Sequence, residues 1–68
     1  MTQPTTITVE SRGAIDILSL NRPAKLNAVS PDMIGELTEY FSGLHDRPAT
    51  RVVILRGHGS EFSAGAEL

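Results

Sequence analysis

Val52-Val53-Ile54-Leu55, held between Arg51 and Arg56-Gly57, decides the fold. A strand with one wet face alternates apolar and polar residues. This run does not alternate, and it reads as a strand covered on both faces, the habit of parallel sheets. A parallel strand needs an earlier strand running the same way. Ala14, Ile15, Ile17, Leu18 and Leu20 supply it, interrupted only by Asp16 and Ser19. Before them Ile7 and Val9 alternate with Thr8 and Glu10, as expected of an edge strand, and Ser11-Arg12-Gly13 turns the chain between the two. The pair reads as a hairpin whose second strand is the more buried.

The connection from the second strand to the third is predicted to be helical. Asn21-Arg22-Pro23 ends the strand, because proline lacks the N–H a ladder needs and biases Arg22 away from helix. Ser30 is a good N-cap, Pro31 takes the first helical position, and Asp32 places negative charge in the first turn. Ile34, Leu37, Phe41 and Leu44 recur as one apolar stripe, with Glu36, Glu39 and Ser42 outside it, and Asp46-Arg47-Pro48 is the stop. Gly35 costs this helix about 1 kcal/mol relative to alanine. Strand, helix and strand make a crossover unit with the helix over one sheet face. Leu18, Leu20, Val53 and Leu55 are expected to include residues on the other face. Covering that face takes more polypeptide, from the same chain or from a partner subunit.

Composition bounds the function. With 68 residues, no cysteine and two distant histidines, His45 and His58, the chain offers neither a disulfide framework nor metal-ligand spacing, so no metal site is expected. A net charge of -2 argues against nucleic acid or an anionic membrane as partner. No apolar run is long enough to span a membrane, and the polar start Met1 to Thr6 has no secretion signal. Residues 1–6 read as a mobile leader and the protein as cytoplasmic. His58, beside Gly57 and Gly59, reads as a solvated loop residue rather than a general base, and His45 as a cation near a helix end. Ser63 lacks a nucleophile-elbow context and reads as a packing or turn hydroxyl.

Ligands of open α/β sheets bind beyond the carboxyl ends of the strands. Two loops answer that description, Asn21 to Val29 and His58 to Leu68, and parallel pairing puts both at one end. In the second, Ala64-Gly65-Ala66 lets a ligand approach the backbone, and Gly65 can take a conformation alanine avoids. N–H groups exposed there, helped by any helix beginning after Leu68, have the character of an oxyanion hole. Taken alone, such a run is more often a tight connection.

The two loops together carry a resemblance. Asn21-Arg22-Pro23-Ala24-Lys25-Leu26-Asn27-Ala28 resembles the Asn-Arg-Pro…Asn-Ala loop of the crotonase (enoyl-CoA hydratase/isomerase) superfamily. Phe62-Ser63-Ala64-Gly65-Ala66-Glu67-Leu68 resembles its Phe-(small)-Ala-Gly-Ala-Asp-Leu signature. Their order and spacing, with the helix and the Val-Val-Ile-Leu-Arg-Gly strand between them, extend the similarity from Ile7 to Leu68.

The resemblance implies an α/β, crotonase-like spiral of β-β-α repeats. Residues 1–68 would be the amino-terminal part of a single domain: hairpin, helix and parallel strand. It implies an acyl-CoA thioester as substrate, no separate cofactor, and assembly into homo-trimers or hexamers. It also implies that two backbone N–H groups stabilise a thioester enolate, Ala66 giving one and a glycine of a later segment the other. CoA contacts would fall on Lys25, Leu26 and Ala28, and on Ala64, Ala66, Glu67 and Leu68, mostly through main chain; Lys25 could meet a CoA phosphate. Glu67 stands where the family has aspartate and is expected to be structural, since the family's acid/base carboxylates lie later. Hydration, double-bond isomerisation, dehalogenation and C–C bond chemistry share this hole, with hydratase/isomerase the default for the family. The other reading is a catalytically inactive, truncated piece serving subunit association or acyl-CoA binding.

Overall fold

The computed structural model describes residues 5–65. β1 (Ile7–Arg12) and β2 (Ile15–Leu20) form the hairpin, α1 (Pro31–Ser42) follows, and β3 (Val52–Gly57) joins the sheet in the order β1-β2-β3. β1 pairs antiparallel with β2 from Ile7↔Leu20 to Arg12↔Ile15. β2 pairs parallel with β3 from Ile15↔Val52 to Leu20↔Gly57. The hairpin turns on Gly13-Ala14, one position later than the sequence suggested, because Gly13 takes φ +58°, which favours glycine.

Ser30 caps α1 as expected, its hydroxyl oxygen accepting the Met33 N–H at 3.2 Å, with Pro31 first and Asp32 in the first turn. The α-helix ends at Ser42, earlier than the predicted stop. A 3-10 turn, Leu44–Asp46, then carries the chain to Arg47.

The buried face of α1 is not the predicted stripe. Ile34 and Phe41 are 55% and 47% exposed, whereas Met33 is completely buried and Leu37 and Tyr40 pack beside it against Ile7, Leu18 and Leu20. Two stripes overlap on this helix and share Leu37. The one containing Met33 and Tyr40 faces the sheet because polar partners lie on that side. Glu36 accepts hydrogen bonds from the Thr6 N–H at 3.1 Å and the Thr6 hydroxyl at 2.7 Å. The Tyr40 hydroxyl donates to Asp16 at 2.7 Å. Thr6, assigned by sequence to the leader, is thereby held, and its carbonyl also accepts the Asn21 N–H.

Register corrects the expectation for the sheet faces. Leu18, Leu20, Val53 and Leu55 share the helix-side face with Asp16, so none of them lies on the face away from α1. The other face carries Ile15, Ile17, Val52 and Ile54, and Val52 and Ile54 are 50% and 46% exposed. Among the described residues β3 is an edge strand, and α1 sits nearer β1 and β2. It is therefore not covered on both faces, and Leu55 is half open even on the helix side.

Asp16 is the one buried carboxylate among the described residues. It accepts from the Ser11 hydroxyl at 2.8 Å, from Tyr40, and from the Arg47 guanidinium, which also stacks 5.4 Å from the Tyr40 ring centre. The Tyr40 and Ser11 hydroxyls, then the Arg47 charge, hold the Asp16 carboxyl below the usual range against the desolvation that pushes it up. Burial, then Asp16 itself, raises the Tyr40 phenol. A depressed folded pKa contributes stability that is complete above the unfolded carboxylate range and is lost as pH falls through the folded value. Asp16→Asn is therefore expected to lower the melting temperature at neutral pH and to shrink its fall on acidification. Thermal melts over an acid pH series check this, and parallel acid limbs would contradict it.

Gly35 offers a test in the opposite direction. It is exposed in mid-helix, and a Cβ there would meet nothing within 4 Å. Gly35→Ala is expected to stabilise the protein by about 0.5–1 kcal/mol in denaturant unfolding.

Candidate functional site

The parallel ladder sets the site. β2 and β3 end side by side at Leu20 and Gly57, and the His58 N–H extends the pairing by donating to the Leu20 carbonyl at 2.9 Å. The loops that follow both strands therefore leave from one end of the sheet, as expected from their order. They do more than converge. The Ala64 N–H donates to the Leu26 carbonyl at 2.8 Å, and the Val29 N–H to the Gly65 carbonyl at 2.9 Å.

The first loop is shaped by local strain. Pro23–Lys25 makes a 3-10 turn, and Leu26 and Asn27 both follow it at positive φ, 53° and 55°. Asparagine tolerates this conformation, whereas leucine does so at a cost of roughly 1–2 kcal/mol. Leu26 keeps it although its side chain is half exposed, so the conformation serves the backbone, whose carbonyl receives Ala64. The Arg22 guanidinium braces the loop by donating to the Ala28 carbonyl at 2.6 Å.

Asn27 joins the two loops and is completely buried. Its Oδ1 accepts the Arg22 N–H at 2.8 Å, while Nδ2 donates to the His58 carbonyl at 2.7 Å and the Glu61 carbonyl at 2.8 Å. The Asn27 carbonyl accepts the Ser63 hydroxyl at 2.8 Å, and the same Ser63 oxygen accepts the Gly65 N–H at 3.1 Å. Ser63 is thus the turn hydroxyl its context suggested. Gly65, at φ +100°, takes the glycine-favouring conformation foreseen for it.

The expected site residues divide as follows. Lys25 and Leu26 lie on the exposed side of the first loop, with Ala28 half-buried behind them. Ala64 is exposed, but its N–H and that of Gly65 are both used within the chain. Ala66, Glu67 and Leu68 lie outside the described residues.

His58 departs from its expectation. It is half-buried, and its Nε2 sits 3.3 Å from the Thr8 hydroxyl. His45 lies in the 3-10 turn with Nε2 3.5 Å from the Asp46 carboxylate, both exposed. Among the described residues, no three His, Cys, Asp or Glu side chains group as a metal site would need, and no helix is long and apolar enough to cross a membrane. Sequence reasoning passed over Asn27 as a mere motif member. An asparagine four residues after a strand-ending proline, facing a glycine-rich partner loop, was the available signal.

Comparison with known proteins agrees with this arrangement. A profile of the enoyl-CoA hydratase/isomerase family matches residues 10–68. The chain belongs to that family. It is 40% identical over its full length to 3-hydroxyisobutyryl-CoA hydrolase 1 of Arabidopsis thaliana, of which it spans 18%. The fold superimposes on an enoyl-CoA hydratase/isomerase from Mycobacterium paratuberculosis with a TM-score of 0.86 at 39% identity, covering 98% of this chain and 27% of that one. It matches a monofunctional enoyl-CoA isomerase from M. smegmatis equally well, TM-score 0.86 at 33% identity, covering 91% of this chain and 30% of the other. The three-stranded mixed sheet with its helix is the amino-terminal part of the crotonase fold.

Gly57 shows how tightly the loops close. A Cβ there would lie 2.4 Å from the Phe62 carbonyl oxygen, 2.7 Å from that of Glu61 and 2.8 Å from Asn27 Nδ2. Two of these obstacles are backbone and cannot swing aside. Gly57→Ala is expected to destabilise by about 1–3 kcal/mol, as overpacking a filled site does. Urea unfolding measures it, and a cost within error of zero would mean that the second loop is not held as described.

Proposed function

We propose that this chain contributes the first half of an acyl-CoA thioester site, in which the Ala66 N–H donates to the thioester carbonyl oxygen as negative charge builds on it. The single observation behind this reading is the locking of the two strand-end loops. They form one surface at the ligand end of the sheet, and the N–H groups immediately before Ala66 are committed to Leu26 and Ser63. Family membership supplies the substrate class, since the relatives named above are CoA hydrolases, hydratase/isomerases and an isomerase.

Those reactions share one demand. Hydration of a 2-enoyl thioester and migration of its double bond pass through enolate-like states, and thioester hydrolysis passes through a tetrahedral oxyanion. In each case charge collects on the former carbonyl oxygen. Donors fixed in advance at that oxygen stabilise such states without reorganising. Hydration or isomerisation of an enoyl-CoA is the reading we adopt, with the second donor and the acid/base carboxylates on the part of the relatives' length that this chain does not span. On the first loop, Lys25, Leu26 and Ala28 would line the path of the CoA, with Lys25 toward a phosphate. On the second, Ala64, Glu67 and Leu68 would do so, mainly through main chain.

Ala66→Pro deletes the proposed donor, and because proline also restricts the residue before it, Gly65, the folding check is part of the test. In the full-length protein it is expected to lower kcat for enoyl-CoA turnover about 10²–10³-fold, the usual loss for one oxyanion donor. Steady-state kinetics alongside a circular-dichroism check of folding measures this. Wild-type turnover by a folded variant would remove Ala66 from the site.

A further inference from the structure

Asn27 is completely buried at φ +55°, a conformation that glycine accepts as readily, so the backbone alone does not require an amide side chain there. Burying an amide is costly unless its polar atoms are all bonded. Here they are: Oδ1 accepts the Arg22 N–H, and Nδ2 donates to the carbonyls of His58 and Glu61 in the second loop, while the main-chain carbonyl of Asn27 separately accepts the Ser63 hydroxyl. Ser63 in turn holds the N–H of Gly65, the residue immediately before Ala66. The side-chain amide thus holds the start of the second loop, and the main-chain carbonyl of the same residue holds its end, through Ser63, as far as the Gly65 N–H. The Gly57 backbone closes the other side so tightly that no Cβ fits between it and the amide.

Resting on the function proposed above, we infer that Asn27 is a positioning residue for that reaction. Its side-chain amide, through His58 and Glu61, and its main-chain carbonyl, through Ser63, hold the second loop as far as Gly65, the residue before the proposed donor, against the first loop. The side chain touches no reacting atom. Its effect is on placement, to which rate is steeply sensitive, since a donor displaced by about 1 Å can cost on the order of 10² in rate.

Asn27→Gly separates this role from backbone strain, because glycine accepts the φ of +55° at Asn27 without a side chain. The experiment uses the full-length protein, a 2-enoyl-CoA labelled at its thioester carbonyl, and infrared difference spectroscopy of the bound carbonyl stretch. Turnover, calorimetric affinity for CoA itself and the melting temperature accompany it. The variant is expected to lose about 10–100-fold in kcat and much of the carbonyl downshift, while retaining its affinity for CoA.

A folded variant with the wild-type carbonyl shift and kcat overturns the inference, even if its melting temperature falls, because that would be structural support only. If Asn27→Gly does not fold at the assay temperature, Ser63→Ala decides on the same readouts. A reduced shift then supports the inference, and an unchanged one overturns it. A wild-type protein that leaves the bound carbonyl unshifted defeats the proposed function itself, and this inference with it. A wild-type shift that Asn27→Gly leaves intact defeats this inference alone.

Discussion

The parallel ladder between β2 and β3 governs where everything else can be. An antiparallel third strand would send its following loop to the opposite end of the sheet from residues 21–29. With Leu20 beside Gly57 and His58 bonded back to the Leu20 carbonyl, the two loops start about one strand spacing apart, roughly 4.8 Å. From that separation, direct hydrogen bonds between them follow. The ladder in turn depends on α1, which returns the chain to the starting edge so that β3 can run alongside β2.

The two ends of the sheet are held by different physics. At the end remote from the site, Asp16 gathers Ser11, Tyr40 and Arg47 around a buried charge and fixes the rotation of α1 against the strands. At the end where the two loops meet, Asn27 does comparable work with a neutral amide. A carboxylate there would face two carbonyl oxygens and be repelled by both. An amide carries the two N–H donors that those carbonyls require.

Much of the architecture was legible in the sequence because it rests on local rules. The Ser30 cap, the proline that begins α1, the more buried second strand and the loops at one end all came from residue type and spacing. The face of α1 was not legible, because Met33-Leu37-Tyr40 and Ile34-Leu37-Phe41 are equally periodic. Only the distant partners Thr6 and Asp16 distinguish them. Nor could periodicity say that the apolar residues of β3 are half open here, since it reports what a strand is suited to meet and not what is present. The two loop motifs were read through a resemblance, and their chemistry through residues that mostly lie beyond Gly65. Asn27 escaped notice because an asparagine in a loop looks like a solvated turn residue. Its burial comes from a loop more than thirty positions away.

That separation carries a kinetic consequence. The bonds from Asn27 to His58 and Glu61 join residues 31 and 34 positions apart. Each therefore closes a long segment whose conformational freedom must already have been surrendered. The hairpin and the helix can form from neighbours in sequence, but the bracket cannot exist until β3 has docked. The bracket between the loops therefore depends on non-local contacts of this segment, which carry a larger closure cost than those within the hairpin and the helix.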